Sequence, residues 1–129
     1  MNHFFILKKN NYISCFKNAE VIEKEIFDQI SDTVSPQGVL AVIRQPKWSV
    51  SLEEKGRILL LEGIRDPGNL GTIIRTAEAA GVKAVFLSPD CVDLYNPKVI
   101  RSTMGSIFRV PAITEDLSTT VARLKGFGY

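Results

Sequence analysis

The run Arg57-Ile58-Leu59-Leu60-Leu61, followed by Asp66-Pro67-Gly68-Asn69-Leu70-Gly71-Thr72-Ile73-Ile74-Arg75-Thr76-Ala77, decides the fold. A short apolar strand leads through a Pro-Gly break into a helical segment. Asn69 reads as its N-cap, Leu70, Ile73, Ala77 and Ala80 share one face, and Gly81 falls at C′. The same order recurs downstream. Lys83 to Leu87 reads as a second strand, Asn96 to Met104 as a short helix with Pro97 at its first position, and Ile107 to Val110 as a third strand. Thr114 then caps a helix with an apolar stripe of Leu117, Val121 and Leu124, acids at its start, cations at its end and Gly126 as its stop. Strand, turn and helix in repetition is the pattern of a parallel sheet with crossover helices, so the fold class is α/β.

Upstream the pattern differs. His3 to Leu7 reads as a strand, Lys8 to Asn11 as a turn, and Ala19 to Ile30 as an amphipathic helix with Ile22, Ile26 and Ile30 on one side. Ser35-Pro36-Gln37-Gly38 makes a turn before Val39 to Ile43, a β-branched run that reads as a buried strand. Gln45 to Gly56 is polar and fits a linker, which puts a domain boundary near residue 50 and divides the chain into 1–50 and 51–129.

A chain of 129 residues, 45% hydrophobic and 23% charged, has the composition of a folded protein. At this size it buries roughly two-thirds of its extended-chain surface, enough to fold without a disulfide or metal staple. The net charge of +2 is too small to announce a nucleic-acid partner. Its distribution says more: residues 1–56 carry seven basic and seven acidic side chains, and residues 57–129 carry nine and seven. Asn96 to Arg109 holds Lys98, Arg101 and Arg109 with no acid among them.

Cys15 and Cys91 lie far apart without the spacing of a zinc site or redox dithiol, and read as free thiols of a reducing compartment. His3 is the only histidine and sits at a mobile N-terminus, which disfavours a Ser-His-Asp triad, a histidine metal cluster and a histidine base. No signal peptide and no apolar run long enough to cross a membrane is present, so the expected location is cytoplasmic.

Two segments could carry chemistry. In an open α/β sheet, ligands sit beyond the carboxyl ends of the strands, where glycine turns admit phosphate and helix N-termini offer free N–H groups. Gly68 and Gly71 suit that role, although the spacing matches neither the P-loop nor the dinucleotide fingerprint. The plainer alternative is a Pro-Gly turn before a capped helix. Arg75 lies six residues after Asn69, about 1.7 turns, and so points to nearly the opposite side unless Asn69 bends inward from the cap. Its guanidinium either pairs with a carboxylate, with Glu62 or Glu78 available, or is reserved for an anion. The second segment is Tyr95 to Ser106. Lys98 and Arg101 share a helix face and, with Arg109, could neutralise backbone phosphates while Tyr95 offers a stacking surface. The plainer alternative is a solvated surface, where three cations in fourteen residues are common.

Together, Asn69-x-Gly71-x-x-x-Arg75-Thr76-Ala77 and Asn96-Pro97-Lys98-x-x-Arg101-Ser102-x-x-Gly105 resemble the first two motifs of the SpoU (TrmH-like) RNA ribose 2′-O-methyltransferases of the SPOUT, or α/β-knot, superfamily. The similarity runs from about Leu59 to Ile113, and the stretch Ser31 to Val42 resembles the end of the small α/β RNA-binding domain that precedes the catalytic domain in many members. The resemblance implies a SPOUT-type partial α/β-knot, and metal-free methyl transfer from S-adenosylmethionine to a ribose 2′-hydroxyl of rRNA or tRNA by a homodimer. It implies catalytic roles for Arg75 and Asn69, RNA contacts from Lys98, Arg101, Arg109 and Asn96, and a weaker cofactor contact from Thr103 and Gly105. Thr103 stands where serine is frequent in the family. Members continue into a third motif that makes most of the cofactor pocket, and here the sequence stops at Gly126-Phe127-Gly128-Tyr129. The expectation is therefore a chain clipped at both ends that binds S-adenosylmethionine weakly or not at all. A non-catalytic RNA-binding or interaction fragment is the alternative.

Overall fold

A computed structural model describes the backbone of residues 3–7 and the whole of residues 18–129. The turn read at Lys8 to Asn11 and the thiol of Cys15 lie outside the described residues. The chain divides into two compact units, Met1–Pro46 and Lys47–Tyr129.

In the first unit, β1 (His3–Leu7) lies between β2 (Ala19–Ile22), to which it is parallel, and β3 (Val39–Val42), to which it is antiparallel. His3 pairs with Val42 and so belongs to a strand rather than a loose end. The helix read over Ala19 to Ile30 is shorter: α1 spans Lys24–Ile30, and its first residues instead form β2. The adjacent β-branched Val21 and Ile22 gain ladder hydrogen bonds against β1, and tertiary pairing overrides the four-residue spacing. The buried side chain of α1 is Phe27, whereas Ile26 and Ile30 are exposed. β3 is an edge strand with Ala41 and Val42 exposed, not the buried strand its composition suggested, because it has one neighbour.

The second unit is the parallel sheet expected from the sequence. β4 (Ile58–Leu61), β5 (Ala84–Leu87) and β6 (Ala112–Thr114) lie in the order β4-β5-β6, all parallel. β5 is central and every residue in it is buried, which is why its run is continuously apolar rather than alternating. The polar stretch before β4 is not a free linker here. Leu52 is buried, Lys83 donates to the Glu54 carbonyl, the Tyr129 hydroxyl donates to the same oxygen at 3.1 Å, and Lys55 reaches the Gly128 carbonyl at 2.7 Å.

Between β4 and β5 runs α2 (Pro67–Ala79). Its N-cap is Asp66, not Asn69: the Asp66 carboxylate accepts from the Asn69 N–H at 2.7 Å. Aspartate followed by proline at the first helical position is the more favourable start, so the helix begins three residues before the cap read from sequence. Its packed face is Leu70, Gly71, Ile74 and Ala77; Ile73 is half-buried and Ala80 exposed. We expect Asp66→Ala to cost about 1 kcal/mol, read as a lower urea midpoint at unchanged slope. An unchanged midpoint would show that the cap contributes nothing.

Between β5 and β6 the chain forms α3 (Pro97–Ser102), with the Asn96 side chain capping it by accepting from the Lys98 N–H at 2.9 Å. Left-handed Met104 and Gly105 then feed a 3-10 turn, Ser106–Phe108, where sequence reading placed a strand over Ile107 to Val110. Ile107 and Val110 are core residues, but their burial comes from this turn, and the strand forms only after Pro111. A short apolar run does not distinguish these outcomes. The last helix, α4 (Leu117–Gly126), is capped by Asp116 accepting from Thr119 N–H at 2.8 Å, while Thr114 ends β6. Thr120 and Leu124 are its buried residues, with Leu117 and Val121 half-buried.

Candidate functional site

The carboxyl end of β4 opens into a cleft of about 500 Å³ lined by Gly63, Arg65, Asp66, Asn69 and Thr72 among others. Its floor is fixed from the neighbouring strand end. Gly63 N–H donates to Ser88 Oγ at 3.1 Å, Ile64 N–H to Cys91 Sγ at 3.3 Å, and Val92 N–H to the Ile64 carbonyl at 2.8 Å. The Ser88 hydroxyl donates to Asp90, which holds that carboxyl below its ordinary range, with the Arg65 charge adding to the effect. Cys91 is a free, half-buried thiol and serves here as a packing and acceptor group. Among the described residues the Asn69 side-chain carboxamide has no hydrogen-bond partner and stands exposed at the cleft, the bond to Asp66 being made by its backbone N–H. Capping by Asp66 leaves it so.

Arg75 is also exposed, and among the described residues it forms no ion pair. Because both residues lie within α2, six positions apart, the helix sets Asn69 and Arg75 on different faces and does not bring them together. Arg75 follows Gly71 by one turn on the side that meets α3. A methyl group on Gly71 would sit 2.5 Å from Ser102 Cβ and 2.9 Å from the Val99 carbonyl, so the two helices cross here at backbone distance. Ser102 Oγ lies 3.4 Å from the Pro67 carbonyl across the same crossing. On α3, Lys98 and Arg101 are both exposed, and Arg101 immediately precedes Ser102. These exposed cations are thus carried by the two helices that cross here, Arg75 one turn beyond Gly71 and Arg101 next to Ser102.

Arg109 is placed differently from the other cations. Its guanidinium forks onto Glu78, Nε to Oε1 and Nη2 to Oε2 at 3.0 Å, and the Ser106 hydroxyl donates to Oε2 at 2.5 Å. Glu78 was one of the partners available to Arg75; it is committed to Arg109 instead. These bonds, the Arg109 bond first and the Ser106 bond second, hold the Glu78 carboxyl down from 4.5 to about 2. A depressed folded-state value means that the contribution to stability is complete above 4.5 and is lost as pH falls toward 2. The Arg109 side chain is exposed and that of Glu78 half-buried, so solvent screens the pair and the effect is modest. We expect the acid-unfolding curve of Arg109→Gln to be shallower than wild type across this window, in a urea-midpoint series against pH. Parallel curves would show that the pair adds nothing.

Thr103 is fully buried with its hydroxyl donating to the Ile100 carbonyl at 2.7 Å, and Gly105 backs onto the Arg109 guanidinium. Sequence reading missed Glu78 and Ser106 as a bonded pair and the Ser88, Asp90 and Cys91 anchor of the β4 loop, since buried hydroxyls and thiols carry no spacing signature. Among the described residues no helix is long and apolar enough to cross a membrane, and no group of three or more His, Cys, Asp or Glu is placed to hold a metal ion.

Residues 56–129 match the SpoU rRNA Methylase family. The chain is 37% identical over 116 residues to the 23S rRNA (guanosine(2553)-2′-O)-methyltransferase RlmP of Bacillus subtilis (strain 168), covering 90% of this chain and 44% of that protein. It is 46% identical over 88 residues to the rRNA methyltransferase 3A, mitochondrial, of Danio rerio, covering 63% of this chain and 20% of that one. The fold superposes on an S-adenosylmethionine-bound rRNA methyltransferase from Sinorhizobium meliloti with a TM-score of 0.76 and 26% identity, covering 95% of this chain and 49% of the other. The chain therefore spans half or less of the length of these relatives. Matching residues, strand order and the paired motifs on α2 and α3 agree: the chain belongs to the SpoU rRNA Methylase family.

Proposed function

We propose that this chain is the RNA-facing part of an S-adenosylmethionine-dependent RNA ribose 2′-O-methyltransferase. The observation that carries the reading is an arginine without an ion pair among the described residues, Arg75, beside a helix crossing that also presents Lys98 and Arg101, in a chain of this family. What these residues contribute lies at the nucleophile. A ribose 2′-oxygen must gain negative character while the adjacent phosphodiester is held still, and a fixed guanidinium does both by charge and by directed N–H donors. Arginine does not serve as the proton acceptor, because its pKa exceeds about 12. Asn69, on another face of α2, acts in the β4 cleft as a sugar-orienting group rather than as a partner of Arg75.

Lys98 and Arg101 bind RNA backbone. Asn96 works as the cap that sets the start of their helix, and Arg109 supports the site through Glu78. Residues 1–50 form part of an RNA substrate-binding domain, and 51–129 the first part of the catalytic domain. The family resemblance supports rRNA or tRNA as substrate, a homodimer as the assembled form and a metal-free reaction; cysteine usage supports a reducing, cytoplasmic setting. Thr103 and Gly105, at and just beyond the C-terminal end of α3, contribute the weaker cofactor contact that the family resemblance implies.

Lys98→Ala should weaken binding of a single-stranded RNA to this chain and reduce the slope of log affinity against log salt by about 0.7. Fluorescence anisotropy over a salt series measures both. An unchanged slope would remove α3 from the RNA interface.

A further inference from the structure

We infer that Arg109 acts as a positioning residue for Arg75: by holding Glu78 in a forked ion pair, it prevents the carboxylate one turn away from capturing the Arg75 guanidinium, which stays open to a phosphodiester. The inference rests on the reading of Arg75 given above. Arg75 and Glu78 are three residues apart within α2, the spacing at which side chains of opposite charge on a helix meet, with Cβ atoms about 5–6 Å apart. Left alone, Glu78 is therefore a natural partner for Arg75. It is turned away by a competing cation with better geometry: Arg109 meets it with two N–H donors in a fixed fork, and Ser106 adds a hydroxyl.

The competing group is itself anchored. Ser106 is buried and opens the 3-10 turn that carries Arg109, and the Arg109 N–H donates to the Ser106 carbonyl at 2.9 Å. Gly105, with φ +87, leaves room for the guanidinium; a methyl group there would lie 3.2 Å from its Nη1. The arrangement turns a potential i, i+3 pair within α2 into a tie between α2 and the turn after α3. One carboxylate then serves packing, and one arginine is left without a counterion among the described residues. Were Arg109 an ordinary RNA-contacting cation, nothing in its role would depend on Glu78.

The test uses the 129-residue chain. The Glu78 carboxyl is titrated by carbon-13 NMR in wild type, Arg109→Gln, Arg75→Gln and the double variant Arg75→Gln/Arg109→Gln. In wild type and Arg75→Gln it titrates at the same low value, since Arg75 does not touch it. In Arg109→Gln it rises but stays below the double variant, because Arg75 moves in as the replacement cation. If Arg109→Gln and the double variant titrate alike, Glu78 does not reach for Arg75 and the inference fails. Binding of hexauridylate, followed by the Arg75 side-chain Nε–H resonance, then reads the consequence. Arg109→Gln weakens binding roughly 2-fold, in line with one helical ion pair, and Glu78→Gln/Arg109→Gln recovers it. Equal loss in both variants would mean that Arg109 touches RNA itself and would overturn the positioning role. Absence of any hexauridylate effect at Arg75 in wild type would instead count against the RNA reading of Arg75, while the titration still decides whether Arg109 withholds Glu78.

Discussion

Arg75→Ala, placed in a version of the chain extended through the third motif, is expected to lower single-turnover methyl transfer by about 10²-fold or more and to change RNA affinity far less. The asymmetry follows from when the guanidinium does its work. In the ground state it is one of several cations near a phosphodiester, and the loss of one solvated contact is small. In the transition state it faces charge growing on the 2′-oxygen, and a preorganised donor counts most there. The backbone that carries Arg75 is held at three points: Asp66 caps the start of α2, Gly71 seats it on α3, and Glu78 ties its last turn to Arg109. A rapid-quench assay with labelled methyl donor separates the two quantities. Near-normal single-turnover rates would remove Arg75 from the chemistry, whereas a loss confined to affinity would make it a binding residue only.

Gly71→Ala is expected to destabilise the second unit by about 1–3 kcal/mol, the usual range for forcing a methyl group into a packed contact. A helical alanine gains about 1 kcal/mol over glycine, so an exposed position would show the opposite sign. Here the methyl group meets the Val99 backbone carbonyl at 2.9 Å as well as Ser102, and backbone yields less readily than a side-chain tip. α2 and α3 would have to separate, carrying Arg75 away from Lys98 and Arg101. Urea denaturation should show a lower midpoint at unchanged slope, and a raised midpoint would mean that the helices do not cross at Gly71.

The parallel sheet was legible because its strands are short apolar runs separated by helices with clear start signals. What escaped the sequence was decided by competition between adjacent signals. Asp66 and Asn69 both cap well, and proline following Asp66 settled the matter in its favour. Ile107 and Val110 are buried as a strand would require, yet the left-handed Met104-Gly105 pair tightens the backbone into a 3-10 turn before the strand can start. Ile22 fits a helical stripe with Ile26 and Ile30, and pairing with β1 placed it in a strand instead. At the site, the two motifs marked α2 and α3, but not the pairing of Arg109 with Glu78. A bland i, i+3 partner for Arg75 was visible in the sequence; that a cation 31 residues beyond Glu78 would take it was not, since such a contact depends on how the turn after α3 returns to α2.

The most direct test of the central claim is the position of the transferred methyl group. The extended chain is incubated with S-adenosylmethionine carrying a labelled methyl group and with ribosomal or transfer RNA, and the RNA is then hydrolysed in alkali and analysed by mass spectrometry. A ribose 2′-O-methyl blocks cleavage of the following phosphodiester, because the neighbouring oxygen can no longer attack it. The account predicts the label in an alkali-resistant dinucleotide, formed about 10²-fold more slowly with Arg75→Ala. Label recovered on a base in ordinary mononucleotides, or an RNA left unlabelled, would contradict it.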